Sequence, residues 1–320
     1  ARLHATARRR GQARLTALDL RWQGPLGLVW LQRRLDPGRT IAVTPDVRPV
    51  HSDGVALVDR DARDGMMVQL LTGPGGDFDA LGDYQPGMDR RRIDWKASAR
   101  HGELLAKEYL TERDNNIVLA FDCGRTMVEP LAGVARLDRA ITAGLLTGYV
   151  ALQKGDRVTL FGFDAKVRQV SPALTGARGF AGLQRAAAGL DYSSEEANFT
   201  LGLSTLAQRL DRRSLILLFT DFVDPTAAEL MLAAIGRQLS AHVLLCVVMR
   251  DDELESLVTA EPEDADDIAR AVVAAGMLRE RRVVLTRLRQ MGVEVLEAPW
   301  ASLGPQLARR YLETKRRQLL

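Results

Sequence analysis

Five short apolar runs of strand length recur through the last two thirds of the chain, and they restrict the fold more than any other feature. They are "NIVLAFD" (116–122), "DRVTLFGF" (156–163), "SLILLFTD" (214–221), "HVLLCVVM" (242–249) and "GVEVLEA" (292–298), with a shorter "VRQV" at 167–170. Helical spacing separates them, clearest at Leu137, Ile141, Leu145, Leu146 and Val150, and predicts a helix over 137–153. Further helices are expected at 176–189, 201–211, 225–239, 276–290 and 303–317. Strands that are apolar throughout must be covered on both faces, so alternating strands and helices predict a doubly wound, largely parallel α/β sheet.

Residues 1–115 follow another rhythm. Runs such as "ARLTALDLRW" and "TIAVTPDV" alternate with turn clusters at "DPGR" and "TGPGGD", predicting a smaller β-rich part before the α/β domain at 116–320. Gly24 and Pro25 break "WQGPLGLVWLQRRLD", which suits an extended or edge segment. The acidic "RDDELESLVTAEPEDADDIARAV" interrupts the later alternation and reads as a surface excursion with a helix near 264–275.

Composition removes several classes of function. With 44 Lys and Arg against 41 Asp and Glu, the net charge of +3 provides no broad cationic surface, and nucleic acid is not an expected partner. Cys123 and Cys246 are far apart and lack metal-ligand spacing, so both read as reduced core residues. No apolar run reaches membrane-spanning length. The chain begins in mid-pattern at Ala1, which raises the expectation of an upstream segment in a longer natural chain.

In an open α/β sheet the ligand crevice lies at the carboxyl ends of the strands. Asp122 ends the first α/β strand as "DCGRTM", and Asp221 ends a later one as "TDFVD". Two carboxylates with nearby hydroxyls, Thr126 among them, suit Mg²⁺, which takes a few hard oxygens and keeps waters. The other reading is that both aspartates bind loop amides and cap helix starts.

The loop after the first strand and the threonine-aspartate after the later one resemble the metal-ion-dependent adhesion site of von Willebrand factor A domains. The stretch "GDFDALGDYQPGMDRRRIDWKASARHGELLAKEY" resembles the signature of domain of unknown function family 58, whose members carry a von Willebrand factor A-like domain and are often encoded beside MoxR-type AAA+ ATPases. Tyr84, Pro86, Gly87, Asp89, Arg91, Ile93, Trp95, Ser98, Ala99 and Arg100 match that pattern. The departures are Met88, where a second acid is common, and Gly124 and Thr126, where many members have serines. The distal threonine position falls on Ala197, with Thr200 as a possible substitute. The resemblance implies a degenerate metal site at Asp122, Thr126 and Asp221, holding Mg²⁺ or no cofactor. It also implies an adaptor or co-chaperone role toward a MoxR-type ATPase and a client protein, on the cytoplasmic side of the inner membrane, with an N-terminal anchor outside this chain.

In "DRRRIDWKASAR" the aspartates interleave the arginines, so an interdomain brace or partner surface at Tyr84, Arg91, Trp95 and Arg100 is preferred over a nucleic-acid clamp. The sequence has no phosphate loop, HExxH or GxSxG motif. No catalytic residue is assigned. The competing reading is a metal-assisted hydrolase using Asp122 and Asp221.

Overall fold

The computed structural model describes residues 10–44, 53, 54, 56, 78–84, 93–109, 115–222 and 225–317. They fall into two compact units, one drawn from Ala1–Leu57 and Asn115–Leu320, the other from Val58–Asp114.

In the larger unit, β1 (Gly11–Leu15) pairs antiparallel with β4 (Arg39–Val43), and β2 (Leu18–Gln23) with β3 (Trp30–Leu35), as separate two-stranded ribbons. In the smaller unit, β5 (Phe78–Asp83) pairs antiparallel with β6 (Leu105–Tyr109), and α1 (Trp95–His101) lies between them in sequence.

The short helix accounts for the end of the signature, from Asp94 to Gly102. Asp94 caps it by accepting from the Ala97 amide at 3.0 Å, and Gly102 ends it in the left-handed conformation at φ 77°. The buried Ser98 hydroxyl accepts from the Leu105 amide at 2.9 Å and donates to the Asp94 carbonyl at 2.7 Å, tying helix to strand. Ile93 bridges to Ala106, and both are buried.

The α/β part of the larger unit holds β7 (Asn116–Asp122), the small β8 (Pro130–Leu131) and β9 (Val134–Ala135), β10 (Arg157–Phe163), β11 (Val167–Val170), β12 (Ser214–Phe219), β13 (Val243–Met249) and β14 (Glu294–Ala298). Its helices are α2 (Arg125–Val128), α3 (Arg136–Gln153), α4 (Gly176–Ala188), α5 (Phe199–Ala207), α6 (Pro225–Gly236), α7 (Asp252–Thr259), α8 (Ala265–Gln290) and α9 (Trp300–Arg316).

The six-stranded sheet runs β11-β10-β7-β12-β13-β14, parallel except for β11 at one edge. Numbered within the sheet by chain order, this is 3-2-1-4-5-6, the doubly wound order whose switch point falls between β7 and β12. The fold is therefore a von Willebrand factor A-like α/β sheet preceded by a smaller β-rich region.

Alternate residues of each strand serve opposite faces. On one face Val118, Ala120, Ile216, Leu218 and Cys246 join a core with residues of α5, α6 and α8. On the other, Phe121 stacks on Phe219 at 4.6 Å between ring centroids, and α3 lies on them. Gly144 permits that approach, since a Cβ there would stand 2.6 Å from Phe121; one turn on, a Cβ on Gly148 would stand 2.5 Å from Leu183 of α4.

Two segments differ from the sequence reading. The acidic excursion contains an unexpected helix, α7, and the two helices expected near 264–275 and 276–290 are one continuous helix of 26 residues through Gly276. Glycine costs an exposed helix only about 1 kcal/mol. Burial of Ala274, Val284, Leu285 and Leu288 on its inner side exceeds that cost.

Candidate functional site: four aspartates at the carboxyl edge

Four neighbouring parallel strands end on a buried aspartate. Asp122 is the last residue of β7, while Asp164 follows β10, Asp221 follows β12 and Asp251 follows β13. Each uses one carboxylate oxygen to hold its own loop: Asp122 accepts from the Gly124 amide at 2.7 Å, Asp164 from Lys166 at 3.0 Å, Asp221 from Phe222 at 2.9 Å and Asp251 from Leu254 at 3.1 Å. These bonds turn the chain at the strand ends. Asp164 and Asp251 escaped the sequence reading, although "FGFDAK" and "VVMRDD" show the same pattern of an apolar strand followed by aspartate.

Arginines pair with three of the four carboxylates. Asp221 accepts from Arg281 Nη1 at 2.7 Å through Oδ1 and from Arg136 Nη1 at 2.9 Å through Oδ2. Arg136 Nη2 also donates to Asp251, so one guanidinium spans two strand ends. Arg281 Nη2 donates to the Met249 carbonyl, and Arg168 Nε donates to Asp164. Burial pushes the Asp221 carboxyl up, with the two guanidiniums opposing that push. Burial also raises Asp251 and Asp164, but there hydrogen bonds prevail and hold both below the usual carboxylate range.

Asp122 is different. Its second oxygen accepts from the Thr220 hydroxyl at 2.8 Å, and no described arginine or lysine pairs with it. Burial pushes its pKa up to about 7, with Asp221 and Asp164 adding repulsion, although the bonds from Gly124 and Thr220 pull the other way.

The structure brings Asp122, Thr126 and Asp221 together, but Thr126 donates to the Asp221 backbone carbonyl at 3.3 Å. Ala197 does lie beside the first loop, as the register predicts, while Thr200 is exposed on α5. A Cβ on Gly124 would stand 3.0 Å from the Ala197 nitrogen, 3.0 Å from Asp122 Oδ1 and 3.1 Å from the Glu195 carbonyl. The Arg125 amide also donates to that Glu195 carbonyl at 2.9 Å. A serine at Gly124 would therefore be crowded, and the Glu195 and Ala197 backbone or the Asp122 carboxylate would have to give way by a few tenths of an ångström.

As arranged, these residues do not fit a divalent ion. The Asp122 and Asp221 oxygens already accept from protein donors, and two buried cations lie against Asp221. Among the described residues no group of three or more His, Cys, Asp or Glu is arranged to hold a metal. The hydrolase reading uses the same two carboxylates, of which Asp221 is held by two guanidiniums. Cys123 is fully buried, and burial pushes its thiol up, so it is no nucleophile.

In the smaller unit, Tyr84 is half-buried, its amide donating to the Leu104 carbonyl at 2.7 Å. Trp95 is 67% exposed at the start of α1, and Arg100 is exposed near its end. Arg91 lies outside the described residues, as do Pro86, Gly87, Met88 and Asp89.

A family model described as "Protein of unknown function DUF58" matches residues 81–286. The chain belongs to the DUF58 family. It is 25% identical over 219 residues to "Uncharacterized protein Rv1480" of Mycobacterium tuberculosis (strain ATCC 25618 / H37Rv) and to "Uncharacterized protein Mb1516" of Mycobacterium bovis. That match covers 66% of this chain and 65% of each relative, so it spans just under two thirds of their length. Among solved structures, the conserved hypothetical protein BatB from Bacteroides thetaiotaomicron is similar over 63% of this chain and 99% of its own, at 10% identity and TM-score 0.37. An aerotolerance-related membrane protein from Bacteroides fragilis is similar over 56% and 98%, at 10% identity and TM-score 0.28. This DUF58 chain carries four buried aspartates at the carboxyl edge of its sheet, three of them paired with arginine.

Proposed function

We propose that this DUF58 protein is an interaction module that binds a protein partner through the carboxyl edge of its sheet, without an ion. The observation that carries this reading is the internal neutralisation of Asp221 and Asp251 by Arg136 and Arg281. A metal-bridged adhesion site needs an ion with an open position for a partner's carboxylate. Here the charge is already balanced, and the edge offers shape and hydrogen bonds instead. The exposed pair Arg125 and Glu196, 3.1 Å apart beside the first loop, would meet the partner.

The partner proposed from the family resemblance is a MoxR-type AAA+ ATPase, for which the protein acts as adaptor or co-chaperone presenting a client. The setting proposed with it is the cytoplasmic face of the inner membrane, reached through an N-terminal anchor outside this chain.

Calorimetry with the ATPase, in EDTA and in Mg²⁺, tests both parts. Equal affinity in the two buffers, with a loss of about tenfold or more in Arg125→Glu/Glu196→Arg, is the expected result. Binding abolished by EDTA at fixed nucleotide state would sink the ion-free edge, and binding indifferent to the double variant would move the interface elsewhere.

A further inference from the structure

The β2–β3 ribbon exposes apolar surface as no other described segment does. Leu26 and Leu28 are each 83% exposed, Val29 is 60% exposed, and Trp22 and Trp30 are 44% and 55% exposed. Every residue from Leu20 through Arg34 except Gly24 is exposed, so among the described residues nothing covers either face of the ribbon. A lone two-stranded hairpin is marginal in water, and a contiguous apolar patch on a surface marks a contact site.

Its polarity is layered along its length. At the base Asp19 pairs across the strands with Arg34, Leu20 with Arg33, and Arg21 with Gln32. One step further Trp22 faces Leu31, and Gln23 faces Trp30. Beyond the tryptophans the loop Gly24–Val29 carries only Gly, Pro, Leu and Val. Its turn is closed by the Gly24 amide on the Val29 carbonyl at 3.0 Å and the Gly27 amide on the Gly24 carbonyl at 2.9 Å. Arg21 lies over the Trp30 ring, 4.7 Å from its centroid.

Cations, then tryptophan, then aliphatic residues is the order of a bilayer surface read inward: anionic headgroups, the interfacial belt and the acyl chains. From the tryptophans to the tip is three or four residues, about 10 Å of extended chain, which matches the depth that interfacial segments reach. A protein pocket would not require cations and tryptophans in successive levels on both strands. We propose that the β2–β3 hairpin docks on an anionic lipid surface, with Leu26, Leu28 and Val29 in the acyl boundary and Arg21, Arg33 and Arg34 at the headgroups. The contact is independent of the ATPase-binding edge and needs no membrane-spanning helix.

Flotation of the whole chain with phosphatidylcholine vesicles, with and without phosphatidylglycerol, tests the contact. The wild type should float with anionic vesicles and weaken as salt rises, without losing all binding. Leu26→Asp/Leu28→Asp should cut vesicle affinity about tenfold or more, with an unchanged denaturation curve because both side chains are exposed. Arg33→Glu/Arg34→Glu should remove the preference for anionic vesicles. Failure of the wild type to float, or flotation unaffected by the double aspartate variant, would overturn the proposal. So would a wild-type dimer in sedimentation that the same variant dissociates, with no vesicle binding, because the hairpin would then be a contact between copies of the chain.

Discussion

Arg281 donates to Asp221 across 2.7 Å, with both side chains less than a tenth exposed. The pair joins a helix that packs one face of the sheet to the end of its central strand β12. Arg136 completes the arrangement from the helix on the other face, donating to Asp221 at 2.9 Å and also to Asp251. Two guanidiniums from opposite layers therefore meet at one carboxylate where the strand order reverses.

Removing that carboxylate should be costly. Asp221→Ala leaves two buried guanidiniums with less compensation, and about 3–5 kcal/mol of stability should be lost in urea denaturation. Glu196→Ala breaks the exposed pair with Arg125 and should cost about 1 kcal/mol or less. Similar losses in the two variants would mean that the buried network contributes no more than a surface pair.

Restoring a serine at the loop should not restore an ion. Gly124→Ser places its Cβ about 3 Å from the Ala197 nitrogen and the Glu195 carbonyl, and the crowding should cost about 1–3 kcal/mol. Neither the wild type nor this variant should show a Mg²⁺-dependent rise in melting temperature. A rise in the wild type that Asp221→Ala removes would contradict the neutralisation of Asp221 by Arg136 and Arg281.

Asp122 should make stability depend on pH. Its folded pKa of about 7 lies above the ordinary 3.8, so the folded state binds the extra proton. The contribution is fully present below about pH 4 and is lost as pH rises through about 7, with an upper size of roughly 4 kcal/mol. Asp122→Asn keeps an oxygen for the Gly124 amide and removes the titration. Its denaturation free energy should fall less than that of the wild type between pH 4 and pH 8, and parallel curves would refute the assignment.

At the opposite end of the sheet, Asp156 accepts from the Asn115 amide at 3.1 Å, from Lys315 Nζ at 2.7 Å and from the Tyr311 hydroxyl. This bond set fastens the final helix, α9. Tyr311→Phe should cost about 1–3 kcal/mol because the buried carboxylate loses a donor, with the edge chemistry untouched. The check is a denaturation curve alongside unchanged partner binding.

The strands, the helices between them and the placing of Asp122 and Asp221 at the carboxyl edge were legible from the sequence. Apolar runs such as "NIVLAFD" leave a strand no face to expose, and the alternation with helices then dictates a covered parallel sheet. The helix at Trp95–His101 was not predicted, although an aspartate at its start and a glycine just past its end are local signals that a sequence carries. The sequence could not reveal which cations meet which carboxylates. Arg136 and Arg281 are 145 residues apart in the chain and converge on Asp221 only because α3 and α8 lie on opposite faces of one sheet. It could not show either that the backbone at Glu195 and Ala197 closes over Gly124, since a glycine in a loop gives no sign of what approaches it. Local pattern settles the elements because it acts through near neighbours and solvent. Charge balance at the edge depends on distance in space, and only the tertiary fold sets that distance.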